Sequence, residues 1–117
     1  MSITRIHTKA WASRIVIHKG VAYISGRIAA DLTEDIQGQT RSTLAKIEAL
    51  LLEADSDKEH MLQATIYLND ISNDFAGMNE VWNEWVPDGY APARVCVQAQ
   101  MAWPEMLVEI SVITGQK

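Results

Sequence analysis

The run RVCVQAQM, residues 94–101, alternates polar and apolar side chains so regularly that it cannot segregate them as a helix and can do so as a strand. Arg94, Cys96, Gln98 and Gln100 fall on one face, and Val95, Val97, Ala99 and Met101 on the other. The expectation is that the valine face is core and the arginine face serves a polar purpose. A second run, LVEISVI at 107–113, repeats the pattern with Glu109 inside it, and a loop around AWPEM, containing Pro104, joins the two. A small domain can be built without an arginine, a cysteine and a glutamate in its last two strands, so their presence calls for a chemical reason.

The rest of the chain supplies the frame. SRIVIHKGVAYISG, residues 13–26, holds two β-branched runs around HKG, which predicts strands near 14–17 and 21–25 with Gly20 at positive φ in the turn and Gly26 ending the second strand. The period then becomes helical, with Ile36, Thr40, Leu44, Ile47 and Leu51 recurring every three or four residues behind a cap at Thr33 or Asp31. MLQATIYLND alternates again, setting Leu62, Ala64, Ile66 and Leu68 against Gln63, Thr65, Tyr67 and Asn69. A second helix follows, capped by Ser72 or Asn73, carrying an apolar stripe of Phe75, Met78, Trp82 and Trp85, and stopped by Pro87. The predicted order is ββαβαββ, an α+β fold in which residues 1–117 form one domain and two helices cover one face of the sheet. The other face is left for a partner to cover, so an oligomer is expected.

Bulk properties narrow the function classes. With 117 residues, 48% of them hydrophobic, the chain is long enough to bury one core. A formal charge of -5, with basic residues scattered along the sequence, argues against nucleic acid as a partner. No run approaches the roughly 20 apolar residues of a membrane span and no basic-then-apolar leader opens the sequence, so a soluble, cytoplasmic protein is expected. One cysteine cannot form an internal disulfide, and His7, His18 and His60 lack metal-ligand spacing, so no metal is expected. Phosphate-binding glycine loops and nucleophile elbows are also missing from the sequence.

Arg94 and Glu109 carry the strongest chemical signal. A carboxylate within LVEISVI needs a cationic or hydrogen-bonded partner if it is buried. If the last two strands are neighbours, Arg94 can be that partner across the sheet. On spacing alone, the pair fits a plain internal ion pair, or a solvent-facing Glu109, as well as it fits a shared cavity. Cys96 reads as a small buried hydrophobe, since local spacing brings no histidine to it. Asn79 reads as an exposed residue of the second helix, and Phe75, Trp82 and Trp85 as core or interface. Tyr90 and Trp103 stand at loop positions beside the two polar strands.

Taken together, PARVCV at 92–97, Glu109 fifteen residues after Arg94 in VEI, ISG at 24–26, Gln39 in the first helix and NDFAGMNEVW at 73–82 resemble the Rid family, also called the YjgF family, of small imine deaminases. SRIVIHKGVAYISG with YAPARVCVQAQM is most similar to its YoaB-like branch. The resemblance implies a chorismate-mutase-like fold assembled as a homotrimer, with the sheets forming an inner barrel and pockets between subunits. It further implies that Arg94 clamps the carboxylate of an enamine or imine acid, and that Glu109 positions the water that attacks the imine carbon. Asn79, Gly26 and the main chain at Cys96 would then line the substrate site, with no metal or organic cofactor required. The sequence departs from the family at AWASRIV, where a glycine-proline-tyrosine segment is usual, so that Trp11 or Ser13 takes the tyrosine's place. It departs again at Arg27, where glutamine is common, and in a shorter loop before Arg94.

The function implied is hydrolysis of reactive enamine and imine intermediates, such as 2-aminoacrylate and 2-iminopropanoate, to a ketoacid and ammonia. A dedicated aminomuconate-type deaminase is an alternative within the same chemistry. A non-catalytic module that binds small carboxylates or ketoacids is the alternative outside it, and RNA cleavage, claimed for some family members, sits poorly with the acidic charge.

Overall fold

The computed structural model describes residues 2–117. The alternating runs pair into one six-stranded sheet in the order β1-β2-β3-β6-β4-β5, built from β1 (Thr4–Thr8), β2 (Ser13–His18), β3 (Val21–Arg27), β4 (Met61–Leu68), β5 (Ala93–Gln98) and β6 (Val108–Gly115). Helices α1 (Ile36–Glu53) and α2 (Ile71–Trp85) complete it. All neighbours run antiparallel except β4 and β5, which are parallel and joined through α2. Parallel strands need such a crossover, whereas β2 and β3 need only the two residues Lys19 and Gly20, both at positive φ, as a right-twisted hairpin demands.

β1 adds a strand to the expected order. Its sequence, TRIHT, has a single apolar residue, and the strand forms the rim of the sheet by pairing Ile6 with Ile15. β3 also runs one residue beyond Gly26, with a bulge between Ile24 and Arg27 where it meets β6. Both helices start away from the expected caps. Asp35 accepts from the Gly38 amide at 2.9 Å, while Asp31 is occupied by the amide and hydroxyl of Thr33 in a turn of its own. Asp70 caps α2 by accepting from Asn73 at 3.2 Å, two residues upstream of Ser72.

Both helices lie on one face. Against them pack Ile15, Ile24, Ala64, Ile66, Leu68, Val108, Ile110 and Val112 from the sheet, with Leu44, Ile47, Leu51, Met78 and Trp82 from the helices. Each of the larger side chains contributes on the order of 1.5–3 kcal/mol by leaving water. Leu62 stands apart from the row predicted for β4, since the register shifts between Met61 and Gln63 and leaves Leu62 exposed while Met61 is buried. The opposite face is uncovered in the single chain and carries Tyr23, Val95 and Val97 at 47%, 45% and 39% exposure. No helix among the described residues is long and apolar enough to cross a membrane.

Candidate functional site

β5 inverts the expected orientation. Arg94 and Cys96 pair with Ala64 and Ile66, both fully buried under the helices, so the arginine row faces the helix layer and the valine row faces outward. The sheet edge explains the inversion: β5 ends the strand order, and over its helix-facing side α2 leaves room for an arginine. Arg94 Nη1 donates to Asn79 Oδ1 at 2.7 Å, and its Cζ lies 5.6 Å from the Trp82 ring centre and 5.8 Å from that of Phe75. Phe75, Asn79 and Trp82 are spaced i, i+4, i+7, so one stripe of α2 supplies the whole cradle. That spacing was legible in the sequence and would have joined Phe75 and Trp82 to the site. Among the described residues Arg94 has no carboxylate partner, and its one polar anchor is a neutral amide.

Cys96 is half-buried beside Arg94. Burial pushes its thiol up from the ordinary value, and the Arg94 charge opposes this to a lesser degree. At neutral pH the sulfur is therefore the protonated, weakly nucleophilic form. β5 also presents the edge of its backbone opposite β4 without a sheet partner among the described residues.

Glu109 belongs elsewhere. The last two strands are not neighbours, because β4 lies between them, and this corrects the cross-strand pairing expected for Arg94 and Glu109. Glu109 pairs with Tyr67 of β4 and Arg94 with Ala64, an offset of three residues that sets the two side chains on opposite faces. Two strand spacings sideways and three residues along place their α-carbons about 14 Å apart. On the open face, Glu109 lies directly over Gly26: a methyl group at Gly26 would overlap Oε2 and stand 3.0 Å from Cδ. Gly26 thus gives the carboxylate its seat by having no side chain.

Gly26 and Trp11 come together at a cavity of about 320 Å³ at the end of the first hairpin, which Ser13, Arg14, Ser25 and Arg27 also line. Trp11 is 83% exposed, so its indole stands at the rim of the cavity and contributes little to the core. The basic residues that look scattered in sequence gather here. Burial and the charge of Arg14 lower the Arg27 pKa, and burial, Arg27 and Arg14 in that order lower the Lys46 pKa. Tyr90 and Trp103 are half-exposed on loops. A groove of about 310 Å³ between the helices, lined by Arg41, Glu48, Lys58 and Trp85, includes none of the predicted site residues. Among the described residues no three His, Cys, Asp or Glu side chains converge as metal ligands would.

The loop entering β6 is held by Gln39, which is fully buried in α1. Its amide donates to the carbonyls of Leu32, Glu34 and Glu105 at 3.2, 3.1 and 2.9 Å and its oxygen accepts from the Leu107 amide at 3.1 Å. A single side chain thereby fixes two loops, one of them leading to Glu109.

The molecule separates two candidate half-sites: Arg94, Asn79 and Cys96 on the helix face, Glu109, Gly26 and Trp11 toward the other. Comparison with known proteins identifies the family. The family model described as endoribonuclease L-PSP matches residues 3–116. The RutC family protein YoaB of Escherichia coli is 43% identical over 115 residues, covering 98% of this chain and 99% of that one. The crystal structure of a YjgF family member from Neisseria meningitidis superposes with a TM-score of 0.96 at 40% identity, covering 100% of this chain and 97% of the other. A Rid family protein from Yersinia pestis gives 0.87 at 31% identity, with 97% and 99% covered. By near-complete match in sequence and in fold, this chain belongs to the endoribonuclease L-PSP family, whose members also carry the names RutC, YjgF and Rid.

Proposed function

We propose that the chain hydrolyses reactive enamine and imine acids to ketoacids and ammonia, as a metal-independent deaminase. The observation that carries this reading is Arg94: a half-buried guanidinium cradled by two aromatic rings and anchored only to a neutral amide invites an anion. A guanidinium holds a carboxylate through two parallel hydrogen bonds and keeps its charge at any physiological pH. The backbone of β5 around Cys96 then lies beside the bound acid.

An imine carbon is already electrophilic, so the reaction needs orientation and one proton-transfer group. Glu109 takes a proton from water as the oxygen attacks the imine carbon. That proton is delivered to nitrogen to give a carbinolamine; the hydroxyl proton then passes through the same carboxylate to nitrogen, and as the ketoacid carbonyl forms the carbon–nitrogen bond breaks and ammonia leaves. An enamine enters the sequence after protonation at carbon gives its imine.

One chain cannot bring Arg94 and Glu109 to one substrate, since they lie on opposite faces about 14 Å apart. The reading therefore includes a homotrimer in which the open sheet faces pack together and each pocket takes Arg94 from one copy and Glu109 from the next. The exposed valines of β5 and Tyr23 favour such packing. The test is ammonia and pyruvate release from enzymatically generated 2-iminopropanoate above the spontaneous rate. Arg94→Ala is expected to abolish both turnover and ketoacid binding, and Glu109→Gln to abolish turnover while leaving binding largely in place. A well-folded wild-type protein that binds ketoacids without accelerating hydrolysis would instead be a carboxylate-binding module.

A further inference from the structure

We propose that the cavity beside Gly26 is a second anion subsite, and that the preferred imine carries a side chain ending in a carboxylate. The proposal rests on the deaminase reading above for the position of the reacting carbon. In that reading the imine carbon lies at Glu109, one carboxylate goes to Arg94, and the remaining substituent extends past Gly26. Gly26 is both the seat of Glu109 and part of the cavity wall, so the substituent enters the space lined by His7, Lys9, Trp11, Arg14 and Arg27.

Charge supports this assignment. Lys9, Arg14 and Arg27 line the cavity, none of the lining residues is acidic, and the chain as a whole carries -5. His7 is already engaged, with its Nε2 2.6 Å from Glu53. Among the described residues, neither arginine forms an ion pair, and Glu109, the carboxylate seated on Gly26, is paired with neither. The Nε of Arg27 is buried with no acceptor among the described residues. A buried donor in that state is unfavourable until an acceptor arrives. The two guanidinium groups and Lys46 also weigh on one another, as the lowered values of Arg27 and Lys46 record. An anion between the arginines would relieve that mutual repulsion.

Size agrees with charge. A space of about 320 Å³ is far larger than the methyl group of 2-iminopropanoate and accommodates a short arm with its terminal group and water. Because the arm hangs from an imine carbon that also bears a carboxylate, it is an amino-acid side chain, and the anionic ones end in a carboxylate. Two planar guanidinium groups suit that end group.

The test compares 2-iminopropanoate with 2-iminoglutarate as substrates, and pyruvate with 2-oxoglutarate as equilibrium ligands, for wild type, Arg14→Gln and Arg27→Gln. Arg14 is exposed, so its variant keeps the fold should the Arg27 variant fail. The expected result is a preference of about tenfold or more in kcat/KM for the dicarboxylic imine that collapses in either variant, as loss of a charged hydrogen-bonding partner implies. Wild type without preference, or a preference untouched by both substitutions, overturns the subsite while leaving the deaminase intact. If neither imine is accelerated, the deaminase reading fails, and the titrations still decide the subsite: tighter 2-oxoglutarate binding that weakens in the variants upholds it, and equal binding overturns it. Loss of the oligomer on sedimentation in the variants, with unchanged ligand preference, assigns the arginines to contact between copies and also overturns it.

Discussion

A methyl group added at Gly26 is expected to remove turnover while leaving the fold standing. The backbone at Gly26 lies outside the left-handed region, so alanine is accommodated there without strain. Replacing glycine at such a position restricts the unfolded chain and contributes about 0.4–1 kcal/mol of stability, against which stands the displacement of one flexible side chain end. That end is the Glu109 carboxylate, which must retreat by about 1 Å or more to clear a methyl that would overlap Oε2 and touch Cδ at 3.0 Å. A misplacement of about 1 Å in a reacting group costs on the order of a hundredfold in rate. Gly26→Ala should therefore lower kcat for 2-iminopropanoate about a hundredfold, keep ketoacid affinity at Arg94, and shift the urea-derived stability by less than about 1 kcal/mol. Ammonia release measured beside denaturant titration separates the two effects. A Gly26→Ala protein that turns over at nearly the wild-type rate, while Glu109→Gln is inactive, would refute the claim that the carboxylate works from its seat on Gly26. A protein that fails to fold would instead show that Gly26 serves the architecture.

Other residues give sharper or simpler readouts. Asn79→Asp places a carboxylate 2.7 Å from Arg94 Nη1, where it competes with substrate; KM should rise about tenfold or more, with unfolding free energy unchanged or higher. Cys96 should react with iodoacetamide more slowly than a free thiol at pH 8, and Cys96→Ala should retain turnover, because burial disfavours the thiolate. The same raised pKa makes stability fall as pH climbs through the ordinary thiol range, since the unfolded chain releases its proton first; Cys96→Ala should flatten that slope in denaturant titrations between neutral and alkaline pH. Gln39→Leu strands the Leu32, Glu34 and Glu105 carbonyls and the Leu107 amide in the interior, and four lost hydrogen bonds at about 1 kcal/mol each predict a loss of about 4 kcal/mol. A loss below about 1 kcal/mol by urea unfolding would mean that water replaces the amide.

Where one periodicity dominated, the sequence was enough. β2, β3 and β4 alternate cleanly, α1 and α2 repeat at helical spacing, and Pro87 stops α2 where expected. β1 escaped because a single isoleucine cannot register as a period. The caps were misplaced because Asp31 and Thr33 satisfy each other, a competition invisible to a rule that treats each residue alone. The larger errors concern faces and neighbours. Alternation in 94–101 separates two rows without saying which is inward, and hydrophobicity pointed to the valines when α2 covers the arginine row. Nothing local revealed that β4 inserts between β5 and β6, since strand order is a property of the crossover through α2. Arg94, Glu109, Asn79 and Gly26 were named on residue type and resemblance, and the geometry adds a contact for each without testing its chemical role. The clustering of Arg14, Arg27 and Lys46 was not read from the sequence, because it depends on how the first hairpin and the helix that follows it pack against one another.

The placement of Arg94 and Glu109 on opposite faces of one sheet has a genetic corollary for the reaction proposed here. Defects in the two residues are complementary: a copy lacking Arg94 can lend its intact Glu109 side to a neighbour lacking Glu109, and the mixed oligomer regains a working pocket that neither parent has alone. Dilution acts in the opposite sense. In the proposed trimer a separated chain would hold no complete pocket, so rate per chain is expected to rise with concentration until assembly saturates.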